Sequence, residues 1–189
     1  NHLYKVCELA KKAEIKKVFI HAFTDGRECD PKSGLGFIKT LKQNLQGAKI
    51  ASICGRYYAM DRDKRWGRIK LTYDLLTKGK GESSRNLYES IQNSYDNGVT
   101  DEFIKPIISV DKNENLIANI QEDDAVICFN FRTDRCREIT TVLTQKNMLE
   151  FGMNTLNLHY TTLTNYDASY KNVNVIYDKK NIKNTLGEV

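Results

Sequence analysis

Short runs of consecutive apolar residues punctuate this chain: VFIHAF (18–23), AKIASIC (48–54), PIISV (106–110) and AVICFNF (125–131). Their Val, Ile and Phe content predicts β-strands. Near-continuous apolarity, in place of strict alternation, predicts strands covered on both faces. Between them lie helical patterns over 33–46, 64–78, 84–97 and 134–146, with Ser33 or Ser84 placed to cap. The opening NHLYKVCELAKKA reads as a further amphipathic helix, and LNLHYTTL (156–163) and NVNVIYD (172–178) add strand-like segments. Strands alternating with helices predict an α/β fold, a three-layer α/β/α sandwich with a mixed, mostly parallel sheet. GKGESS (79–84) is expected as an exposed loop, and the closing NTLGEV as the approach to a hinge.

A length of 189 residues suits one domain, 1–189, with a core of its own. No methionine precedes the opening helix, so the expectation is a piece excised from something longer. No apolar run approaches the ~20 residues of a membrane span, and no stretch has the layout of a signal peptide. The net charge of +5 arises from 29 basic and 24 acidic residues, which permits an anionic ligand without demanding one. Five cysteines (Cys7, Cys29, Cys54, Cys128, Cys136) include no CxxC pair, and Cys54 and Cys128 sit in apolar runs as small hydrophobes. That usage points to a reducing cytoplasm. Three widely separated histidines argue against a zinc site.

The chemistry gathers where strands end, the edge at which α/β sheets bind ligands. VFIHAF runs into Arg27, AKIASIC into Arg56 and Arg62, and AVICFNF into Arg132 and Arg135. A guanidinium is a planar fork of donors that matches carboxylate and phosphate oxygens in pairs and stays charged at any relevant pH. Five such forks after three separate strands suit a small ligand carrying both anions. The bland alternative is that they pair with Asp25, Asp61, Asp63 and Asp134 as ordinary loop salt bridges. Glycines at 26 and 55, beside Arg27 and Arg56, favour the functional reading, since they permit the tight turns that aim those side chains. A nucleic-acid partner fits less well, because the acids are interspersed and no long basic stripe exists. His21 reads as core or as a supporting residue at a strand end. Lys64 and Arg65 read as the start of a helix, and Cys29 as a neighbour of the site.

Several of these stretches have a family likeness. HAFTDGRECDPKSG (21–34), SICGRYYAMDRDKRW (52–66), CFNFRTDRCREIT (128–140), NGVTDEFIKP (97–106) and NTLGEV (184–189) resemble, in order, cofactor-independent phosphoglycerate mutase. The resemblance implies a two-domain glycolytic isomerase of the alkaline phosphatase superfamily that interconverts 3-phosphoglycerate and 2-phosphoglycerate in the cytoplasm. One domain would hold two Mn2+ ions and a serine that becomes phosphorylated. The other, inserted into it, would grip the substrate, and this chain is similar to that inserted domain. The family's metal ligands, nucleophile, catalytic histidine and hinge lysine would then fall outside residues 1–189, leaving no metal in this piece, no nucleic-acid or membrane partner, and no activity of its own. Arg27, Arg56, Arg62, Arg132 and Arg135 match the family's substrate arginines. The family's aspartate that manages the glycerate hydroxyl proton falls on Glu28, longer by one methylene, with Asp30 an out-of-register substitute. The alternative from another class is a stand-alone anion- or nucleic-acid-binding module built on the same arginine cluster.

Overall fold

The computed structural model describes residues 2–178. Helix α1 (His2–Lys12) leads to strand β1 (Phe19–Thr24), α2 (Gly34–Gln43), β2 (Lys49–Gly55), a single turn α3 (Arg56–Ala59) and α4 (Trp66–Lys78). There follow β3 (Glu82–Ser84), α5 (Leu87–Asp96), β4 (Ile107–Ser109), β5 (Ala125–Cys128), α6 (Arg137–Thr144), β6 (His159–Thr164) and β7 (Val173–Tyr177). The strands form one sheet ordered β1-β2-β4-β3 and another ordered β5-β6-β7. All of these neighbours are parallel except β2 with β4. The expected α/β sandwich is present, with its strands divided between two sheets.

The layering is visible along β2. Ile53 and Cys54 are both fully buried, yet side chains alternate along a strand, so they enter opposite layers. Ile53 clusters with Ile38 and Leu41 of α2 and with Ile91 and Tyr95 of α5. Cys54 clusters with Ala59 of α3 and Leu75 of α4. Ile107 and Ile108 of β4 divide the same way. Helix α4 also serves a second core, in which Ile69, Tyr73 and Leu76 join Ile139, Val142 and Leu143 of α6 and Tyr160 of β6. Each such buried side chain contributes about 1.5–3 kcal/mol, so this one helix fastens the two sheets together.

Some local expectations change. Asn86, not Ser84, caps α5, its side chain accepting the Tyr88 amide at 3.2 Å. Ser84 is drawn instead into β3, opposite Ser109, because β4 offers a free edge beside the 82–84 segment expected as loop. Ser33 stands at the start of α2 but donates its hydroxyl to the Asp30 carbonyl at 2.7 Å, so its side chain does not cap. β5 stops at Cys128, and Phe129 and Phe131 leave the ladder to pack edge-on against each other. β5 is not covered on both faces as its apolar run predicts, since Ala125 and Ile127 are exposed, and β7 is largely exposed as well. The NTLGEV segment lies outside the described residues.

His21 lies within β1, not at its end, and its Nδ1 is 2.7 Å from the Ser52 hydroxyl across the β1–β2 register. Burial holds the ring's pKa down to about 4. The folded chain therefore keeps this imidazole neutral where an unfolded chain, titrating near 6.5, would take up a proton. Stability contributed by the neutral ring is complete above about pH 6.5 and is lost as pH falls toward 4. Urea midpoints should drop across that window, and His21→Gln should flatten the drop. Identical pH dependence in the two proteins would contradict this assignment.

Candidate functional site

Because β1 and β2 run parallel, their last residues, Thr24 and Gly55, pair in register and end at the same edge. Asp25, Gly26 and Arg27 leave from one, Arg56 from the other. A short turn of 3-10 helix, Asp101–Phe103, wedges against both ends. A Cβ on Gly26, which has φ 66°, would stand 2.7 Å from the Asp101 Cβ, and one on Gly55 would stand 2.4 Å from the Glu102 carbonyl. Glycine is what allows this approach. Asp101, fully buried, holds the wedge: its carboxylate accepts the Gly34 amide at 2.7 Å and the Tyr95 hydroxyl at 2.5 Å, and its carbonyl accepts the Thr24 hydroxyl at 2.8 Å.

These strand ends surround an open cavity of about 170 Å3, lined by Arg27, Arg56, Arg62, Arg65, Arg68 and Arg135. Asp61, Asp63, Glu102, Tyr57, Met60 and Phe103 complete it. With Arg132, and with Asp25, Glu28 and Asp134 paired to these arginines from just outside the lining, seven guanidiniums meet six carboxylates, so the cluster is dense in charge but close to balanced. Arg56 is only 4% exposed and is paired with Asp25 at 2.5 Å. Arg68 stacks on the Tyr57 ring, 3.8 Å from its centroid, a contact that fixes the plane of both groups.

Four of the six predicted site residues, Arg27, Arg56, Arg62 and Arg135, line the cavity together. Arg132 and Glu28 do not line it but are bound to its residues. Glu28 pairs with Arg132 and lies 3.6 Å from Arg56, while Asp134 accepts from Arg62 at 2.6 Å and lies 3.4 Å from Arg132. The loop after β5 thus meets those after β1 and β2, although β5 belongs to the other sheet. Asp30, the substitute considered for Glu28, uses its carboxylate locally, on the Lys32 amide. The salt-bridge alternative is also partly realised, since Asp25 and Asp134 do hold Arg56 and Arg62, whereas Asp61 and Asp63 hold Arg65.

The ion pairs set the charge state. Burial alone would raise the Asp134 carboxyl, but hydrogen bonds from Arg62 and Arg132 outweigh it and bring the pKa down to about 2. Asp25 is likewise lowered, burial being overcome by Arg56 and by the amides of Glu28 and Arg27. Both carboxylates are charged at neutral pH and act as fixed counter-ions. Among the described residues no group of three or more His, Cys, Asp or Glu could hold a metal ion, and no helix is long and apolar enough to cross a membrane.

Pattern reading passed over Tyr57, Arg65, Arg68, Glu102 and Phe103 as parts of this cavity. Arg68 belongs to α4, where a charged residue ordinarily marks a solvated face. Glu102 and Phe103 come from a turn whose only sequence sign is Asp-Glu-Phe between two elements. The adjacency of Tyr57 to Arg56 was the one available hint.

The family model described as "BPG-independent PGAM N-terminus (iPGM_N)" matches residues 1–168. A 2,3-bisphosphoglycerate-independent phosphoglycerate mutase of Flavobacterium psychrophilum is 59% identical over 100% of this chain and 38% of its own length. Its counterpart in Bacteroides thetaiotaomicron is 53% identical over 99% of this chain and 37% of its own length. Among solved structures, Leishmania mexicana phosphoglycerate mutase, crystallised at low cobalt concentration, superposes with a TM-score of 0.78 at 30% identity. That match covers 87% of this chain and 32% of the Leishmania chain. The chain therefore spans a little over a third of the curated relatives it matches. On the family match over most of its length, this chain belongs to the BPG-independent phosphoglycerate mutase N-terminus family.

Proposed function

We propose that this chain is the substrate-gripping domain of a cytoplasmic phosphoglycerate mutase, and that its arginine cavity holds 3-phosphoglycerate and 2-phosphoglycerate. The observation that carries this is the gathering of guanidiniums from separate strand ends around one open cavity. Phosphoglycerate presents a carboxylate and a phosphate a few bonds apart, and two or more forks can engage both ends at once. A compact cavity, with carboxylates interleaved among the arginines, favours such a small ligand with two anionic groups over a polymer, which needs a long groove.

In this reading Arg27, Arg56, Arg62, Arg132 and Arg135 orient the glycerate and neutralise its charge. Positioning of that kind is the larger part of what phosphoryl transfer asks of a protein. Glu28, held among Arg56 and Arg132, accepts the proton of the glycerate hydroxyl that becomes the nucleophile. The serine that carries the phosphoryl group belongs to the remainder of the protein. In this reading the two Mn2+ ions belong to that remainder as well, and the chain by itself is expected to be inactive.

The test is titration of the chain with 3-phosphoglycerate, followed by NMR of the arginine side-chain N–H signals. Half-open to water, the cavity should bind no tighter than roughly millimolar, about −4 kcal/mol. Glycerol 3-phosphate, lacking the carboxylate, should bind more weakly still. Equal shifts with both ligands, or shifts spread over unrelated surface arginines, would count against the two-ended grip.

A further inference from the structure

The loop that carries Arg62 and the segment that carries Arg135 meet at one side chain, Glu138. It lies in the first turn of α6, three residues after Arg135, and is only 7% exposed. Its Oε1 accepts the Lys64 amide at 2.7 Å. Lys64 has φ 58°, a backbone conformation that L-residues avoid, so this hydrogen bond holds the loop in a shape it would not keep unaided. The other oxygen, Oε2, is buried and receives no donor, and the Glu138 carboxyl lies within hydrogen-bonding reach of the Asp61 carboxyl.

Asp61 is itself buried, and it is saturated with donors. The amides of Asp63 and Arg65 reach it at 3.0 and 2.9 Å, and the guanidiniums of Arg65 and Arg68 at 3.2 and 3.5 Å. Two ionised carboxylates at that range would repel, whereas a proton between them makes a hydrogen bond. Asp61, surrounded by cations and amides, keeps the charge. Glu138 faces the carboxylates of Asp61 and Asp63 from the loop and the Tyr170 phenol from beyond α6, with Arg65 and Arg68 reaching only as far as Asp61. Burial first, and then those two carboxylates, raise its pKa against the single amide of Lys64.

We propose that Glu138 is a positioning residue for the arginine cavity, latching the Arg62 loop to the start of α6 beside Arg135 through a proton shared with Asp61. This rests on the reading of the cavity as the phosphoglycerate site. The latch closes while Glu138 is protonated. At higher pH the proton leaves, two buried carboxylates face each other, and the loop loses its hold on Arg62. Since Glu138 does not line the cavity, its loss weakens the grip more than it slows a bound substrate.

The deciding experiment uses the full-length protein and measures kcat and KM for 3-phosphoglycerate from acid to alkaline pH, across the range in which the protein stays folded, with wild type, Glu138→Gln, Glu138→Ala and Arg62→Ala. Glu138→Ala should raise KM about tenfold, the scale of a misplaced binding group, with a much smaller change in kcat. Glu138→Gln should recover most of that loss, because an amide can accept from Lys64 and donate to Asp61 without ionising. Wild-type KM should then climb with pH relative to the Gln variant. A constant ratio between those two KM values across the range overturns the latch, and this comparison stands even if the Ala variant fails to fold. If Arg62→Ala leaves KM alone, the cavity reading itself has failed. If Arg62→Ala raises KM while Glu138→Ala does not, only the latch has.

Discussion

Arg56→Ala in the full-length protein should lower kcat/KM for phosphoglycerate by about two to three powers of ten, equivalent to ~3–4 kcal/mol of transition-state stabilisation. Of the predicted site arginines, Arg56 is the most deeply set, 4% exposed against half-exposed Arg132 and Arg62. Its removal deletes one fork of the grip and leaves its partner Asp25 as an unbalanced negative charge, so the remaining field also weakens. Arg132→Ala should cost less, about two powers of ten, because water already shares its work. Arg56→Lys should recover only part of the loss, since an ammonium cannot reproduce paired parallel donors. Steady-state kinetics on variants with unaltered melting curves would decide the matter. Near-normal turnover by the Ala variant would remove the cavity from the mechanism.

A second large effect is expected from a single methyl group. Gly55→Ala would place its Cβ 2.4 Å from the Glu102 carbonyl oxygen, 2.7 Å from that of Asp101 and 2.8 Å from the Glu102 carbonyl carbon. All three are backbone atoms and cannot rotate aside, so the wedge must move bodily away from β2. That movement strains the Gly55 amide's bond to the Ile104 carbonyl, now 2.8 Å. A cost of about 3 kcal/mol or more follows from overpacking of this kind. Gly36→Ala provides the control. It lies in α2 with nothing within 4 Å of the new Cβ, and should stabilise by about 0.5–1 kcal/mol through helix propensity. Urea midpoints of the two variants should therefore move in opposite directions, and a Gly55→Ala midpoint equal to wild type would show that the wedge yields easily.

The sequence was most informative where burial is two-sided. AKIASIC reads as a covered strand because both its faces are covered, and β2 is buried from Ile50 to Gly55. It was least informative where tertiary pairing decides. Glu82–Ser84 has no apolar pattern, yet it joins β4 because an edge was available. The division into two sheets is equally invisible, since β5, β6 and β7 carry the same kind of residues as β1 and β2. The arginines at the strand ends were legible because chemistry and topology agree there: parallel strands must bring their ends to one edge. Glu102, Phe103 and Arg68 reach the same cavity through the 101–103 wedge and through stacking on Tyr57, and neither contact has a local sequence period.

The pairing of Glu28 and Asp134 with the arginines has a bearing on how the site fills. An unfilled cradle of bare guanidiniums would repel itself and draw a cloud of salt ions. Here the carboxylates Asp25, Glu28 and Asp134 already occupy several forks. Loading such a site is an exchange of anions, in which each oxygen of an incoming ligand takes over donors that a side chain gives up. The tethered anion cannot diffuse away, so it waits beside the ligand and reclaims the fork as soon as the ligand's hold slackens. Affinity is thereby reduced, but release is eased, and fewer mobile ions are expelled than the number of arginines would suggest. The cradle behaves as an ion-exchange resin with its counter-ions attached.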